Sequence, residues 1–551
     1  MPPRGSGGTC GPLLAWPVRR RLATAASASA GVVAPPEIEF LTDAVAHWAA
    51  VRPDAEALTY REVRWTWEQW HDRIRRVAGG LTALGLGRGG RVAFLDKNNP
   101  ACLEVSLGAG LLGAASAMVN WRLAAGELDY VINDSGASVL FVGADLLPAV
   151  EAIRDRLPGV SRVITVGGPD DGYEAFLAAA RPADRSPEVT GEDLWLVMYS
   201  SGTTGRPKGV MLSHRNIVTH TRHAVPVAPL GPGDRNLVAM PLFHVGGTSY
   251  ALFGIYAGVP TTFTREPDAA SLLAAFASGV THAFFVPAVV AALLAAGEKA
   301  IAAMSGLKYL LYGAAPMPLP MLRRALAAWP RLNFVQVYGQ TELAGVISAL
   351  SPQAHRDASR EDLLLSAGTL LPGAQVRVVD PATGQDVATG QPGEFWFRSA
   401  QRMMGYLNKP DDTAEAITAE GWLRSGDIGH VDDGGFLFVS DRVKDLIITG
   451  GENVYSPEVE QAVAEHPAVA EVAVIGVPDD DWGESVKAMV VLRPGEQATG
   501  PEIIEFTRGR LAHYKCPRTV DIIGSIPRNP SGKVLKRTLR APYWEGRDRQ
   551  I

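Results

Sequence analysis

The stretch that most constrains the fold is residues 198–210, MYSSGTTGRPKGV, which is rich in glycine and hydroxyl side chains. The apolar run 194–198 before it predicts a buried strand, and Ser213 is predicted to cap a following helix, so the stretch should form the turn between them. Gly202 and Gly205 let backbone amides approach an anion closely. Further donors are the hydroxyls of Ser200, Ser201, Thr203 and Thr204 and the ammonium of Lys208. These residues predict a phosphate-binding loop, with a polar surface turn as the alternative.

The spacing of this loop differs from that of the P-loop NTPases. Gly202 and Lys208 do not fit the pattern G-x-x-x-x-G-K-[ST], and Gly209 stands where that pattern has a hydroxyl residue. An ordinary P-loop NTPase is therefore disfavoured. The stretch instead resembles the signature of the adenylate-forming superfamily, which includes acyl-CoA synthetases, aryl-CoA ligases, luciferases and peptide-synthetase adenylation domains.

Length and composition predict at least two globular domains, because 551 residues exceed what one hydrophobic core usually covers. The formal net charge of −6 indicates no nucleic-acid partner. Three cysteines without CxxC or Cys/His spacing indicate neither a disulfide framework nor a zinc site, so a cytoplasmic location is expected. The uncharged stretches 236–264 and 269–297 are interrupted by Pro, Gly and His, which favours buried elements over membrane spans.

The order of elements predicts an α/β fold with three parts. Residues 1–36 contain four arginines and no acidic residue; they resemble a presequence, and the favoured interpretation is a disordered extension or an over-long start. Residues 37–440 should form a large N-terminal domain of layered α/β subdomains that ends in a small β-rich subdomain. Residues 441–551 should form a small C-terminal α+β domain, and the resemblance implies that this domain is mobile. Its first helix should begin with Ser456 as N-cap and Pro457 in its first turn.

Within the large domain, several segments are predicted from their apolar patterns. Predicted helices are 40–51, 65–84 and 100–119. Predicted strands are 91–96, 138–143, 162–167, 236–240, 282–286, 307–312, 333–338, 374–380, 393–399 and 435–440.

A second signature, VYGQTE at 337–342, follows a predicted strand, so Thr341 and Glu342 should lie where α/β sheets place ligands. The resemblance implies that Glu342 holds Mg²⁺, that Thr341 touches the α-phosphate of ATP and that Tyr338 lies against adenine. Taken alone, a Thr-Glu pair after a strand is commonly just a helix start. The ATP-binding set further includes Gly339 and the adenine-binding turn Gly313, Ala314 and Ala315, for which a tight strand-to-helix turn is the alternative.

Four charged residues complete the resemblance in family order. Asp427 matches the carboxylate that binds both ribose hydroxyls, a role natural for an acceptor-only group. Arg442 would meet ribose or phosphate, and Asp441 would be the hinge about which the small domain turns. Lys533 matches the catalytic lysine that reaches the substrate carboxylate and the α-phosphate. Each of these types is common as a surface charge, so the assignment depends on the whole set.

The resemblance also implies an acyl pocket and a coenzyme A channel. The implied pocket residues are His244, Tyr250, Phe284, Phe285, Val286, Val337, Gly339, Ala344 and Gly345. The resemblance implies that His244 takes part in catalysis and gates the acyl site. The alternative is a core histidine whose hydrogen bonds are satisfied. Gly339 replaces the bulky indole of acetate-type enzymes and is interpreted as room for a longer or flatter acid. The implied CoA-binding residues are Lys444, Gly450, Gly451 and Glu452; Ser456 replaces the proline common in the family.

The sequence therefore predicts an ATP-dependent acyl-CoA synthetase with ATP, Mg²⁺ and coenzyme A as cofactors, acting on a carboxylic acid, with a medium- or long-chain fatty acid favoured. The alternatives are an aryl-CoA ligase, an acyl-AMP ligase that loads a carrier protein, and a binding protein without turnover. No acidic residue lies between 236 and 264 to pair a substrate ammonium, which disfavours amino-acid activation. Residues 321–332, with Trp329, are interpreted as a peripheral membrane contact or an ordinary surface helix. The oligomeric state stays open.

Overall fold

The structure is a computed structural model that describes residues 37–200, 206–450, 452–528 and 534–545. Several predictions lie outside the described residues. They concern the extension 1–36, the loop residues Ser201, Gly202, Thr203, Thr204 and Gly205, the channel residue Gly451, and Lys533.

The first part of the chain alternates helices and strands. Its elements are α1 (Leu41–Val51), β1 (Glu56–Tyr60), β2 (Val63–Thr66), α2 (Trp67–Ala83), β3 (Arg91–Leu95), α3 (Pro100–Leu111), β4 (Ala115–Met118), α4 (Ala125–Ser135), β5 (Val139–Gly143), α5 (Leu147–Glu151), β6 (Arg162–Val166), α6 (Gly172–Ala179) and β7 (Leu194–Ser200). The next are β8 (Lys208–Ser213), α7 (His214–Ala224), β9 (Asn236–Val238), α8 (Val245–Ala257), β10 (Thr261–Phe263), α9 (Ala269–Ala277), β11 (His282–Phe285), α10 (Pro287–Ala295), α11 (Glu298–Ala303), β12 (Tyr309–Gly313), α12 (Leu319–Ala328), β13 (Asn333–Gln340), β14 (Gly345–Leu350) and β15 (Thr369–Leu370).

The later elements are mostly strands. They are β16 (Gln375–Val379), β17 (Gly393–Arg398), β18 (Gly405–Tyr406), α13 (Pro410–Ala416), β19 (Leu423–Val431), β20 (Leu437–Arg442), β21 (Ile447–Thr449), β22 (Glu452–Val454), α14 (Ser456–Ala464), β23 (Val469–Asp479), β24 (Gly483–Leu492), α15 (Gly500–Arg508), β25 (Thr519–Ile522) and α16 (Lys536–Arg540).

Among the described residues the strands form four sheets. A seven-stranded sheet has the order β18-β8-β7-β4-β3-β5-β6, and a nine-stranded sheet has the order β15-β14-β13-β12-β11-β9-β10-β1-β2; both are parallel in their centres and antiparallel at an edge. The strands β16, β17, β19 and β20 form an antiparallel sheet, and β21 to β25 form the sheet of the C-terminal part. The predicted α/β fold class is confirmed. The described residues form one compact unit, and the boundaries predicted at 37–440 and 441–551 stay predictions.

Three local predictions between residues 65 and 213 are wrong. The segment 100–119 is not one helix, because α3 ends at Leu111, Gly113 adopts the left-handed conformation (φ 68°) and β4 follows. All twelve residues of α3 are buried, so its sequence lacks the periodicity that separates helix from strand. The segment predicted as helix 65–84 begins with the end of β2, and Thr66 caps α2.

The third error concerns the loop itself. It does not lead directly into a helix, because β8 follows it and pairs antiparallel with β7, with Ser200 opposite Lys208. The strand is explained by the consecutive apolar residues Val210, Met211 and Leu212. Ser213 does cap α7, as predicted: its hydroxyl accepts a hydrogen bond from the Asn216 amide.

The apolar stretches in the middle of the chain are mostly buried elements. Among the described residues, no single helix is long and apolar enough to cross a membrane, although the bent pair Pro287–Ala295 and Glu298–Gly306 passes that test together by length and composition. Trp329, at the end of α12, is 5% exposed and donates its indole N–H to the Ile301 carbonyl. Arg323 on the same helix pairs with Glu361. The indole of Trp329 is therefore a core side chain.

Candidate functional site

Two predicted site turns lie side by side at the carboxyl edge of the nine-stranded sheet. Strands β12 and β13 are parallel neighbours, with Gly313 opposite Val337. Ala314, directly after β12, has a φ of 65°, and Ala344, after the short helical turn Thr341–Leu343 that follows β13, has a φ of 56°. Such values are costly for alanine and concentrate at functional sites. The placement predicted for both turns is confirmed.

Glycines allow the backbones to meet at this edge. A Cβ on Gly313 would lie 2.1 Å from the Val337 carbonyl oxygen, and a Cβ on Gly339 would lie 1.8 Å from the Gly345 carbonyl oxygen. The space beside Gly339 is therefore filled by the backbone of β14. The interpretation that this glycine leaves room for the acid is not supported by the direction of its Cβ, because a side chain there would displace a strand.

Glu342 lies beside a tyrosine from a different sheet. The hydroxyl of Tyr406, in β18, donates a hydrogen bond of 2.9 Å to Glu342 Oε1. Burial, and then the Glu342 carboxylate, raises the pKa of Tyr406, so the phenol keeps its proton as a donor. The Met403 amide also donates to the Glu342 backbone carbonyl, which ties the turn to this segment. Tyr406 fixes one oxygen of the proposed metal ligand.

Lys208 joins the same region from the β7–β8 hairpin. Its Nζ lies 2.6 Å from Asp412 Oδ1 in α13 and 5.2 Å from the centre of the Tyr406 ring. Both charged side chains are mostly shielded from solvent, at 13% and 28% exposure. The lysine predicted as a phosphate clamp is therefore held against α13 by an ion pair. Asp412 and Tyr406 were not predicted, since neither stands in a pattern that separates it from a surface residue.

Tyr338 and Asp427 form a second cluster. The Tyr338 hydroxyl donates to Asp427 Oδ2 at 2.6 Å, and Arg442 Nε lies 3.3 Å from Asp427 Oδ1. Asp427 is 6% exposed. Burial and the nearby carboxylate of Asp427 raise the pKa of Tyr338 well above its usual value. Three residues predicted around the nucleoside, from β13, β19 and β20, are thus in direct contact.

The predicted acyl-pocket aromatics face two directions. Phe284 and Tyr250 lie together, with ring centres 5.8 Å apart, whereas Phe285 packs against Phe276 of α9 at 6.3 Å. The alternation of side chains along β11 explains this split. Phe284 is therefore the member of the pair beside Tyr250. Val337, Ala344 and Gly345 are buried on neighbouring elements.

Two polar atoms among these apolar side chains are unsatisfied. In the part of the chain that the structure describes, His244 Nε2 and the Tyr250 hydroxyl are buried without a hydrogen-bond partner. Burial, reinforced by Arg122, lowers the pKa of His244 to about 4, and burial raises that of Tyr250 well above its usual value. Both groups are therefore neutral at pH 7. Since unsatisfied buried polar groups are rare and costly, a ligand atom is a natural partner for them.

The described residues implied in the coenzyme A channel, Lys444, Gly450 and Glu452, follow β20 at the start of the C-terminal sheet. Gly450 and Glu452 are exposed. Gly450 has a φ of 59°, and a Cβ there would lie 2.3 Å from the Trp482 indole, so this loop rests against the β23–β24 hairpin. Burial lowers the pKa of the Lys444 ammonium.

The described residues fit a Mg²⁺ ion held mainly by its substrate. They contain no group of three or more His, Cys, Asp or Glu side chains that could hold a metal. Mg²⁺ usually keeps several waters and takes one or two carboxylates together with phosphate oxygens. The single carboxylate of Glu342, oriented by Tyr406, suits such an ion.

The fold defines the class of the protein. A solved Mycobacterium tuberculosis fatty acyl CoA synthetase superposes with a TM-score of 0.72 at 34% identity, covering 93% of this chain and 99% of that one. A feruloyl-CoA synthase from Amycolatopsis sp is 37% identical over 499 residues, 90% of this chain and 96% of that protein. The fatty acid–[acyl-carrier-protein] ligase ScoC of Streptomyces coeruleorubidus is 34% identical over 523 residues, 94% and 99% of the two chains. The class is that of the adenylate-forming ligases.

The family follows from the sequence match. Residues 45–407 match the AMP-binding enzyme family, and residues 458–533 match the C-terminal domain of AMP-binding enzymes. The chain belongs to the AMP-binding enzyme family. It is an AMP-forming acyl-CoA synthetase, with ATP, Mg²⁺ and coenzyme A as cofactor and co-substrates.

Proposed function

We propose that this chain joins an apolar carboxylic acid, with a medium- or long-chain fatty acid favoured, to coenzyme A in two steps. In the first, a carboxylate oxygen attacks the α-phosphorus of ATP, an acyl–phosphate bond forms, and the bond to pyrophosphate breaks. In the second, the CoA thiol attacks the acyl carbon, a C–S bond forms, and AMP leaves while the thiol proton passes to solvent. The observation that carries the proposal is the Tyr338–Asp427–Arg442 cluster, which joins β13 to β19 and β20 and whose Arg442 interacts electrostatically with Glu342.

The phosphate end of ATP is assigned to the β7–β8 hairpin. Lys208, with Ser200 and the loop 201–205, would hold the pyrophosphate that leaves. Thr341 would touch the α-phosphate, and Glu342 would hold Mg²⁺, which neutralises charge on the phosphates. The ion pair between Lys208 and Asp412 supports this assignment, because it already directs the ammonium toward the Tyr406–Glu342 side of the hairpin.

The nucleoside end is assigned to the second cluster. Asp427, as an acceptor-only group, would take both ribose hydroxyls, with Tyr338 and Arg442 holding its two oxygens in place. The turn Gly313, Ala314 and Ala315 would lie against adenine. Ala314 is exposed and adopts a left-handed conformation.

The two steps require two positions of the small domain. Lys533 would reach the acid and the α-phosphate in the first step, and Gly450, Gly451, Glu452 and Lys444 would meet coenzyme A in the second. Asp441 would be the pivot between them, a hinge change of a common kind. The exposure of Gly450 and Glu452 supports assigning the described arrangement to the first step.

One observation favours a second candidate, a hydroxylated aryl acid. The buried Tyr250 hydroxyl has no partner among the described residues, and the Tyr250 ring lies beside the Phe284 ring. A polar substituent on an aryl acid would form a hydrogen bond with the Tyr250 hydroxyl, and the ring of that acid would stack on Phe284. An alkyl chain would leave the hydroxyl unsatisfied. His244, neutral at pH 7, would lie at the same acyl site.

The experiment is a panel of fatty, hydroxycinnamic, benzoic and short acids with ATP, Mg²⁺ and CoA, following AMP and thioester together in the wild type and in Tyr250→Phe. If a fatty acid is the substrate, Tyr250→Phe should leave its KM unchanged or lower. If a hydroxylated aryl acid is the substrate, the variant should raise its KM about tenfold and leave the unsubstituted acid unaffected. If none of the acids in the panel gives AMP, the proposal is contradicted.

The acceptor and the location complete the proposal. AMP release without consumption of free CoA, and with loading of a carrier protein, would identify a carrier-protein ligase instead. We assign the reaction to the cytoplasm, which the buried, free thiols of Cys102 and Cys516 support.

A further inference from the structure

Asp441 connects two parts of the molecule through different groups. Its backbone belongs to β20 and pairs with Ile428 of β19, inside the antiparallel sheet. Its carboxylate leaves that sheet and contacts the start of α14, which packs against the C-terminal sheet. A change of the backbone angles at Asp441 would therefore move the contact with α14 relative to the pairing with β19.

Ser456 supplies two hydrogen bonds to this carboxylate. Asp441 Oδ2 accepts the Ser456 backbone N–H at 2.7 Å and the Ser456 hydroxyl at 2.7 Å, and Oδ1 accepts the Arg442 N–H at 2.7 Å. Asp441 is 6% exposed and Ser456 is fully buried. The prediction that Ser456 is an N-cap is wrong: Tyr455 occupies that position, and the serine is the first residue of α14. Its hydroxyl is thus committed to the hinge residue.

A buried lysine closes the network from the far end of the chain. Lys536, in α16, donates to the Ser456 hydroxyl and lies 2.7 Å from Glu460 Oε1. Burial lowers the pKa of this ammonium, but the Glu460 and Asp441 carboxylates outweigh burial and raise it, so Lys536 is charged. Removing one partner from such a network leaves the remaining buried polar groups without that hydrogen bond, which is costly.

The same short helix holds the other end of the hinge segment. Arg540, one turn after Lys536, lies 3.0 Å from Asp445 Oδ1 and donates to the Lys444 carbonyl. Both charged side chains are nearly buried, at 12% and 13% exposure. Helix α16, which begins three residues after Lys533, therefore contacts Lys444 and Asp445 directly and reaches Asp441 through Ser456.

We infer that Ser456 is a positioning residue that latches the hinge Asp441 in the described arrangement and thereby favours acyl-adenylate formation over thioester formation. The inference rests on the proposed two-step function. A proline at this position, as is common in the family, has neither the N–H nor the hydroxyl, so it cannot make either bond. The latch is thus a property of this chain's own sequence.

The test is a graded series of variants at one position. Ser456→Ala removes one bond to Asp441 and Ser456→Pro removes both, while Ser456→Thr keeps both groups. Proline should be tolerated, because position 456 is the first of the helix and Tyr455 is extended. Pyrophosphate release without CoA measures the first step, and thioester formation from supplied acyl-adenylate measures the second. The ratio of first-step to second-step rate should fall about tenfold in Ser456→Ala, further in Ser456→Pro, and not in Ser456→Thr.

A second readout does not depend on turnover. Trypsin cleavage after Arg442 and Lys444 should be faster in the Ala and Pro variants than in the wild type, because the latch shields the hinge. Thr507→Val is the matched control: Thr507 is fully buried in α15, and its hydroxyl donates to the Ile503 carbonyl of the same helix. The control should lose stability without a change in rate ratio or hinge cleavage.

Two outcomes would overturn the latch. One is an equal change of both half-reactions, or none, in Ser456→Ala and Ser456→Pro. The other is hinge cleavage at the wild-type rate in both variants. If the wild type performs neither half-reaction, the proposed function fails, and the cleavage assay alone decides whether Ser456 holds the hinge.

Discussion

At the residue scale, the strongest assignment is the contact between Tyr338 and Asp427. A phenol that donates at 2.6 Å to a carboxylate of 6% exposure orients that carboxylate and stabilises its charge. The residue proposed to meet adenine therefore also positions the residue proposed to meet ribose. The sequence motifs predict both residues and their order but not their contact, because β13 and β19 belong to different sheets.

Replacing Tyr338 by phenylalanine should raise the KM for ATP about tenfold, because a hydrogen bond to a charged group contributes about 1.5–3 kcal/mol. The KM for the acid should change little. Steady-state kinetics with ATP and acid varied in turn would measure both. Tyr312→Phe is the control, because the buried Tyr312 hydroxyl forms a 2.8 Å hydrogen bond with His355 Nε2. That variant should lose stability and keep its KM for ATP. Equal ATP KM values for Tyr338→Phe and wild type would refute the positioning role.

At the element scale, strands and turns were predictable where apolar residues alternate with turn residues, and not where burial is complete. The sequence pattern does not separate helix α3 from strand β4, because every residue of both elements is buried. The strand β8 is not predicted, because it directly follows a loop whose glycine and hydroxyl residues indicate a turn leading into a helix. The contact between Lys208 of β8 and Asp412 of α13 joins residues 204 positions apart, so no local sequence pattern predicts it.

The approach of β13 to β14 gives a stability prediction. Gly339→Ala should lower the free energy of unfolding by about 3 kcal/mol, because its Cβ would lie 1.8 Å from a backbone oxygen that cannot rotate away. Chemical denaturation would measure the change. The control is Gly126→Ala in α4, where a Cβ meets nothing within 4 Å; it should gain up to about 1 kcal/mol. Wild-type stability in Gly339→Ala would show that the strands separate easily and would restore Gly339 as an acyl-pocket position.

At the scale of the whole molecule, acid should unfold this protein through its histidines. Burial lowers the pKa of His214 and His355 to about 4 and that of His220 to about 3. Their unfolded value of 6.5 is higher, so the unfolded state binds more protons and stability falls as pH drops from 6.5 toward 4. Each contributes a loss of about 3 kcal/mol across that window.

Melting temperatures measured from pH 7 to pH 4 would show this slope. His220→Gln should flatten it, because an amide can accept the hydrogen bond that the Val346 N–H now donates to His220 Nε2 while it cannot be protonated. A constant melting temperature down to pH 4.5 would contradict the burial argument.

The nine-stranded sheet also has a consequence for how the chain is made. Trp48 donates its indole N–H to the Ile255 carbonyl, 207 residues later, and β1 pairs with β10 from the same later region. Strands β3 to β7 of the other sheet are complete long before that partner exists. At roughly 5–20 residues per second of synthesis, β1 and β2 wait on the order of 10–40 seconds for the strand they join. On the ribosome, the first strands made are therefore among the last to find their place, and a chaperone that shields α1 to β2 during that interval would raise the yield of folded enzyme.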